Sequence, residues 1–245
     1  MKRYAPWFPV TRVLATEVPD HPICQQLRSE FGVELLTLEP SESGFLDSRA
    51  KALEKLASTG RFDYVIPMQE DFLLDRAPDG IAIADMFSML QADSTISSMR
   101  LMPCPGPKGP PEPGTSWARL TPRADTYGFT FQATLWRLEA CAAWYAALCA
   151  KLEREWPLAI TAPDQRRHVE IRVNFAENTE GQRFFWKFSH GRGDVHLAWV
   201  RAGPWSNAVY LSPWPYRPTA IVQGKLELWA AELGKREGVE IKDLA

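Results

Sequence analysis

Short β-rich runs alternate with helical segments through the first hundred residues, and this alternation limits the folds that the chain can adopt. Residues 10–16, 33–38 and 62–68 are rich in β-branched, leucine and aromatic side chains and predict strands. Between them, residues 23–31 and 48–57 carry apolar side chains at the spacing of one helix face. Alternating strands and helices form a parallel sheet covered by helices. We therefore predict an α/β fold with a mixed, mainly parallel central sheet flanked by helices.

The second half of the chain predicts a more irregular arrangement. A helix is predicted at residues 80–91, a strand at 97–102 and an alanine-rich helix at 138–152. The other predicted elements are extended segments at 129–134, 167–174, 183–188, 196–200 and 208–211, and a last helix at 224–234. Since no internal repeat and no shift in composition marks a second domain, we expect one domain over residues 1–245.

A proline-rich segment separates the two halves. Residues 103–114 contain six prolines and three glycines, which exclude a helix or a central strand. We expect a stiff surface loop there. It is either a tolerated insertion, which we favour, or a lid over a binding site.

Composition narrows the classes of function. Of 245 residues, 45% are hydrophobic, and 28 basic against 30 acidic side chains give a formal net charge of −2. This balance gives no electrostatic reason to expect nucleic acid or an anionic membrane as a partner. The opening MKRYAPWFPV lacks the apolar core of a signal peptide, and no apolar run approaches the ~18 residues of a membrane span. The four cysteines form no CxxC pair, and Cys141 and Cys149 lie in an alanine-rich apolar stretch typical of buried thiols. We therefore predict a cytoplasmic protein, and the short apolar runs predict no transmembrane segment.

Two adjacent acids interrupt an apolar region and are the sharpest feature of the sequence. Glu70 and Asp71 follow the predicted strand 62–68 and precede Phe72-Leu73-Leu74. Buried carboxylates are costly unless they are compensated, and ligands bind at the carboxyl ends of parallel strands. A hard divalent cation, its shell completed by a diphosphate, suits such a pair. An ordinary surface turn is the competing interpretation, and spacing alone does not decide between the two.

Further segments occur in the order found in a known enzyme family. They are Gly44-Phe45-Leu46-Asp47-Ser48-Arg49, Gln132-Ala133-Thr134-Leu135-Trp136, Glu170 within His168-Val169-Glu170-Ile171-Arg172, and Val222-Gln223-Gly224-Lys225. Together with Glu70-Asp71-Phe72, which is similar to a variant DXD motif, they resemble a group of bacterial and viral GT-A-type glycosyltransferases. The resemblance covers the chain from about residue 5 onward. It implies a GT-A-like fold, with a donor and metal half at residues 1–102 and an acceptor half at 115–245.

The resemblance implies a metal site at the acidic pair. Glu70 and Asp71 would hold Mn²⁺ or Mg²⁺ against the diphosphate of a nucleotide-sugar donor. As a Lewis acid, the metal would offset the charge on the departing nucleotide. The reaction expected is the transfer of a sugar to a glycan or lipid-linked acceptor.

The other matched residues receive roles from the same resemblance. Arg49 would pair with a phosphate of the donor, and Gln132 and Trp136 would bind a sugar by hydrogen bonding and stacking. Glu170 would be the base that activates the acceptor hydroxyl. Three of these residues have a structural alternative: Arg49 as a solvent-facing helix residue, Trp136 as a core residue, and Glu170 as a strand-edge residue paired with a nearby Arg.

Two other functions are also consistent with the sequence. The family opens with a strand and helix that hold the nucleotide base, ahead of the segment matched by residues 4–9. Here that opening is missing, so either the start is misplaced or the nucleotide site is incomplete. A non-catalytic or degenerate relative that binds carbohydrate through aromatic residues such as Trp205 and Trp214 is the first alternative. The second is a metal-dependent phosphoesterase that uses the acids with His190 and His196, although we favour a surface turn for that histidine segment.

Overall fold

The fold is described from a computed structural model over residues 10–39, 44–69, 72–74, 76–102, 106–155, 162–200, 212–217, 220–222 and 225–238, with side chains except at 162–169 and 222. Within these ranges the helices are α1 Pro22–Phe31, α2 Phe45–Ser58, α3 Gly80–Ala92, α4 Leu138–Glu155, α5 Ala162–Glu177, α6 Thr179–Arg192 and α7 Leu228–Glu237. The strands are β1 Val13–Thr16, β2 Glu34–Thr37, β3 Tyr64–Val65, β4 Leu73–Leu74, β5 Ile96–Arg100, β6 Trp117–Arg119, β7 Thr134–Arg137, β8 Val195–Trp199, β9 Tyr216–Arg217, β10 Ile221–Val222 and β11 Lys225–Leu226.

Five strands form a mixed central sheet in the order β3-β7-β5-β8-β6. The β5–β8 pair is parallel, and the other three pairs are antiparallel. The α/β class with a mixed sheet is therefore confirmed, whereas a mainly parallel arrangement is wrong for this sheet. The strand–helix alternation does produce a parallel pair, because β1 and β2 flank α1, but these two strands pair apart from the central sheet.

The apolar run at residues 62–68 departs most from its prediction. Only β3 is a strand there, and it pairs antiparallel with β7 at the edge of the central sheet. Pro67 cannot donate to a strand ladder, which helps to explain why the strand does not extend further. The acidic pair therefore does not follow a buried parallel strand, and that part of the argument for a ligand site is wrong.

Side chains on both faces of the sheet form the core. Leu135 and Trp136 are neighbours in β7 and lie on opposite faces, because side chains alternate along a strand. On the Trp136 face, Phe129, Trp144 and Phe185 pack with residues of α2, α4 and α6. On the Leu135 face, buried side chains of α3 pack with aromatic residues from β6 and β9.

Two predicted extended segments are helical. Residues 167–174 lie in α5 and 183–188 lie in α6. Their β-branched and aromatic residues favour strands by intrinsic preference, but tertiary packing overrides that preference. Phe185 of α6 lies edge-on against Trp144 of α4, with 4.9 Å between the ring centroids. Asn178 caps the start of α6 by accepting a hydrogen bond from a backbone N–H of the first turn.

The remaining predicted elements are mostly found where the sequence placed them. Helices at 80–91 and 138–152 are confirmed as α3 and α4, and strands at 97–102 and 196–200 as β5 and β8. The segment predicted at 129–134 is irregular until β7 begins, and the last helix begins at Leu228 rather than residue 224. Residues 208–211 lie outside the described residues. Among the described helices, none combines the length and apolar character that crossing a membrane requires.

The described part of the proline-rich segment, residues 106–114, is an irregular loop, as predicted. The backbone N–H of Lys108 donates to the Asp125 carboxylate at 3.0 Å, which also accepts from the N–H of Thr121 at 2.9 Å. Gly106 has a φ of 78°, and a Cβ there would lie 2.8 Å from Asp125 Oδ1. Only glycine suits this position, because both the backbone conformation and the close carboxylate exclude a side chain.

Candidate functional site

The positions on either side of the acidic pair are fixed by the fold. Glu70 and Asp71 themselves lie outside the described residues. The backbone N–H of Phe72 donates to the carbonyl of Gln69 at 3.1 Å. Directly after Phe72, β4 pairs antiparallel with β9. These flanking residues mark the place around which the other candidate residues can be located.

Arg49 reaches the residues that precede the acidic pair. It lies in the second turn of α2, where its Nη2 donates to the carbonyl of Met68 at 3.2 Å. Its Nη1 lies 3.4 Å from the Tyr145 hydroxyl, and its guanidinium lies over the ring of Phe45, 4.3 Å from the centroid. Burial raises the pKa of Tyr145 to about 12, so that hydroxyl is neutral and does not compensate the charge. No carboxylate in the described part of the chain lies within ion-pair distance of Arg49.

Gln132 lies beside the residue that follows the acidic pair. The Tyr216 hydroxyl donates to Gln132 Oε1 at 2.7 Å and accepts from the backbone N–H of Ala133 at 3.1 Å. The Tyr216 ring stacks on Phe72, with 5.0 Å between centroids and 19° between the ring planes. Tyr216 thus connects Gln132 to Phe72 across 84 positions of sequence.

The Arg49 and Gln132 groups are joined through two phenylalanines. Phe45 lies beneath the Arg49 guanidinium, and its ring meets that of Phe131 edge-on at 5.5 Å. Phe131 directly precedes Gln132. The structure therefore brings together the described parts of three matched segments: the start of α2, the flanks of the acidic pair, and the Gln132 segment.

Two side chains that sequence reasoning missed hold the loop before Gln132. Gln182 Oε1 accepts from the backbone N–H groups of Gly128 and Phe129, at 2.9 and 3.1 Å. Glu177 Oε1 accepts from the Thr130 hydroxyl at 2.8 Å and from the N–H of Phe131 at 2.9 Å. No local motif signals either role, because each joins residues about 50 positions apart.

Trp136 does not belong to this group. Its side chain is 4% exposed and packs against Phe129, Phe185 and His196, so no open ring face remains for a sugar to stack on. The stacking role expected for Trp136 is therefore corrected to a place in the core. Trp214 is also buried, and Trp205 lies outside the described residues.

Glu170 lies on α5, not on a strand, and its side chain is exposed. Among the described residues, no hydrogen bond or ion pair links it to Arg49 or Gln132. Arg172, also on α5, is buried and forms an ion pair in which its Nη2 lies 3.3 Å from Asp47 Oδ2. Desolvation raises the pKa of Asp47, and the nearby guanidinium partly opposes this effect.

The two histidines do not form a site with each other. His190 is exposed on α6, whereas His196 is buried on β8. The surface turn predicted for this segment is limited to residues 193–194, because α6 extends to residue 192 and β8 begins at residue 195.

The described residues do not supply a complete metal centre. None of their His, Cys, Asp and Glu side chains form a group of three or more that could hold a metal ion. Glu70 and Asp71, which lie outside the described residues, are the ligands that the sequence implies for a cation, and oxygens of a diphosphate would complete its shell. The hydrogen bond between the Phe72 N–H and the Gln69 carbonyl fixes the residues on either side of the acidic pair, and this feature of the fold suits a cation site. No protein-family profile, curated protein or solved structure matches this chain.

Proposed function

We propose that this protein is a GT-A-type glycosyltransferase that moves a sugar from a nucleotide-diphosphate donor to a glycan or lipid-linked acceptor. The observation that carries the proposal is the convergence of separate segments. Arg49 contacts Met68 on one side of the acidic pair, and Tyr216 joins Phe72 on the other side to Gln132. Residues far apart in sequence thus meet at the two flanks of the acidic pair, which supports a binding site at this position.

Arg49 is suited to bind a phosphate of the donor. Its guanidinium makes contacts with a carbonyl and a phenol, both neutral, so its positive charge is available to an anion. The Phe45 ring supports the guanidinium from below and limits its movement. A phosphate bound here would lie next to the chain that enters Glu70 and Asp71.

The acidic pair would hold Mn²⁺ or Mg²⁺, which would supply Lewis-acid stabilisation of the departing diphosphate. Gln132, with its amide oxygen already bonded to Tyr216, would donate from its amide nitrogen to a sugar oxygen. Glu170, which lies on α5, is the base that the sequence resemblance implies for the acceptor hydroxyl.

The donor site can be tested by thermal unfolding of the full chain. Mn²⁺ together with UDP, GDP or CDP at about a hundred times its Kd is expected to raise the Tm by roughly 5–10 °C. Asp71→Asn is expected to abolish the shift, and Arg49→Gln to weaken nucleotide affinity about tenfold or more. Arg61→Gln is the matched control, because Arg61 also lies over a phenylalanine ring but pairs with exposed Glu34.

Three outcomes of this experiment have different meanings. A metal-dependent shift that Asp71→Asn removes supports the proposed function. Absence of any shift with all three nucleotides overturns it. Binding of a glycan without metal, and equally by Asp71→Asn, would instead identify a non-catalytic carbohydrate-binding protein.

The base is tested separately from binding. Glu170→Gln is expected to leave the nucleotide-dependent Tm shift unchanged and to lower sugar transfer at least about a hundredfold, as for other general bases. Transfer is measured as release of the nucleoside diphosphate in the presence of an acceptor. Glu180→Gln, at an exposed position on α6, is the control. Equal rates for wild type and Glu170→Gln would remove Glu170 from the mechanism.

A further inference from the structure

We infer that Tyr216 is a positioning residue that fixes the Gln132 side chain with its amide N–H groups directed to an oxygen of the ligand. The inference rests on the function proposed above and names the chemistry of that site. The atom recognised is a hydrogen-bond acceptor, such as a sugar hydroxyl oxygen.

The orientation of the Gln132 amide follows from the hydrogen bond that the Tyr216 hydroxyl accepts from the backbone of Ala133. The backbone N–H of Ala133 can only donate, so the Tyr216 oxygen accepts at that contact. The hydroxyl proton is then directed to another acceptor, and Gln132 Oε1 lies 2.7 Å away. The Met102 sulfur, at 3.6 Å, is the weaker alternative. The amide oxygen is therefore bonded to Tyr216, and the amide nitrogen is turned away from it.

The amide nitrogen of Gln132 has no hydrogen-bond acceptor in the described part of the chain. The Gln132 side chain is only half-buried, so a ligand can reach it. An amide nitrogen offers two N–H donors, and oxygen atoms of a sugar are suitable acceptors for them.

Tyr216 is itself held on several sides. It is fully buried, stacks on Phe72 and lies in β9, which pairs with β4. Just before it, the Ser212 hydroxyl donates to the carbonyl of Leu101 at 2.8 Å, and the carbonyl of Pro213 accepts from the N–H of Asp79 at 2.9 Å. A side chain held in this way can fix Gln132 relative to the residue that follows the acidic pair.

The experiment follows the side-chain amide of Gln132 in the ¹⁵N-labelled full chain by NMR. Its pair of N–H signals is identified by its absence in Gln132→Leu. Tyr216→Phe removes one hydroxyl and is expected to shift this pair and to speed its exchange with water. Tyr64→Phe removes a hydroxyl near Arg137 instead and is expected to leave the pair unchanged. An unshifted pair in folded Tyr216→Phe overturns the inference, whether or not the protein binds nucleotides.

A binding measurement separates positioning from the proposed function. With Mn²⁺, Tyr216→Phe is expected to bind UDP as the wild type does but to bind UDP-glucose, UDP-galactose or UDP-N-acetylglucosamine about tenfold more weakly. Equal loss for UDP and the UDP-sugars would indicate a general structural role and would overturn the inference. Should Tyr216→Phe not fold, Gln132→Glu replaces it, because the carboxylate still accepts from Tyr216 but lacks the two donors. Unchanged sugar-nucleotide affinity in Gln132→Glu would then be the contradicting result.

Discussion

Replacing Gln182 by Leu is expected to lower the free energy of unfolding by about 4 kcal/mol. Gln182 is 3% exposed and uses its whole amide. Its oxygen accepts from the N–H groups of Gly128 and Phe129, and its nitrogen donates to the carbonyls of Phe129 and Ala176 at 2.9 and 3.2 Å. Leucine has a similar volume but leaves two buried N–H groups without an acceptor, and each costs roughly 1–3 kcal/mol. Urea unfolding followed by tryptophan fluorescence measures the difference.

Gln26→Leu is the matched control for this prediction. Gln26 lies on the exposed surface of α1, where its amide nitrogen donates to the Glu30 carboxylate. Its replacement is expected to change stability by less than about 0.5 kcal/mol. Hydrogen exchange should show faster exchange at the Gly128 and Phe129 amides in Gln182→Leu only. Equal, small effects of the two substitutions would contradict the bridging role of Gln182.

The fold could be predicted from the sequence where the responsible interactions are local. The α3 and α4 helices follow from apolar spacing, and Asp79 caps α3 by accepting from the N–H groups of Ile81 and Ala82. The antiparallel pairing of β3 with β7 could not be predicted, because it joins Val65 to Trp136 and several other elements, among them α3 and β5, lie between them in the sequence. The segment 183–188 carries apolar residues at helical spacing as well as aromatic residues that favour strands. Its secondary structure depends on the side chains it packs against.

In the candidate site, too, local features could be predicted from the sequence and long-range contacts could not. The acids, Arg49 and Gln132 are candidates from the sequence because each belongs to a short matched segment. The roles of Tyr216 and Gln182 in the structure could not be predicted, because they depend on contacts with residues 84 and 54 positions away in the sequence. The two interpretations of Trp136 could not be separated for a related reason: a tryptophan in a matched segment can pack in the core or face a ligand, and its 4% exposure in the structure decides for the core.

Buried His196 is expected to make stability depend on pH between about 6.5 and 4. The ring Nδ1 lies 2.8 Å from the Ser98 hydroxyl on β5, and Nε2 lies 2.9 Å from the Ser189 hydroxyl on α6. The rings of Trp136, Phe185 and Trp186 surround it. Burial lowers the pKa of His196 to about 4, and the charge of Asp194 only partly opposes this effect.

The sign of the effect follows from which state binds the proton. An unfolded histidine has a pKa near 6.5, so below that pH the unfolded chain gains a proton that the folded chain does not take up until about pH 4. The contribution of neutral His196 is therefore complete above pH 6.5 and is lost as the pH falls toward 4. The total loss is about 3 kcal/mol. The measurement is the free energy of unfolding in urea at several values between pH 7.5 and 4.5.

His196→Gln separates this histidine from the carboxylates that titrate in the same range. Glutamine cannot take up the proton, so the variant lacks this loss while the other groups still titrate. At pH 7.5 we expect it to be less stable than the wild type by about 1–2 kcal/mol, because one of the two serine contacts is lost. The difference should shrink as the pH falls, because only the wild type loses the contribution of a neutral imidazole. His190→Gln, on the exposed face of α6, should parallel the wild type throughout. Parallel curves for His196→Gln and wild type would mean that the folded protein accepts the proton at His196 without cost.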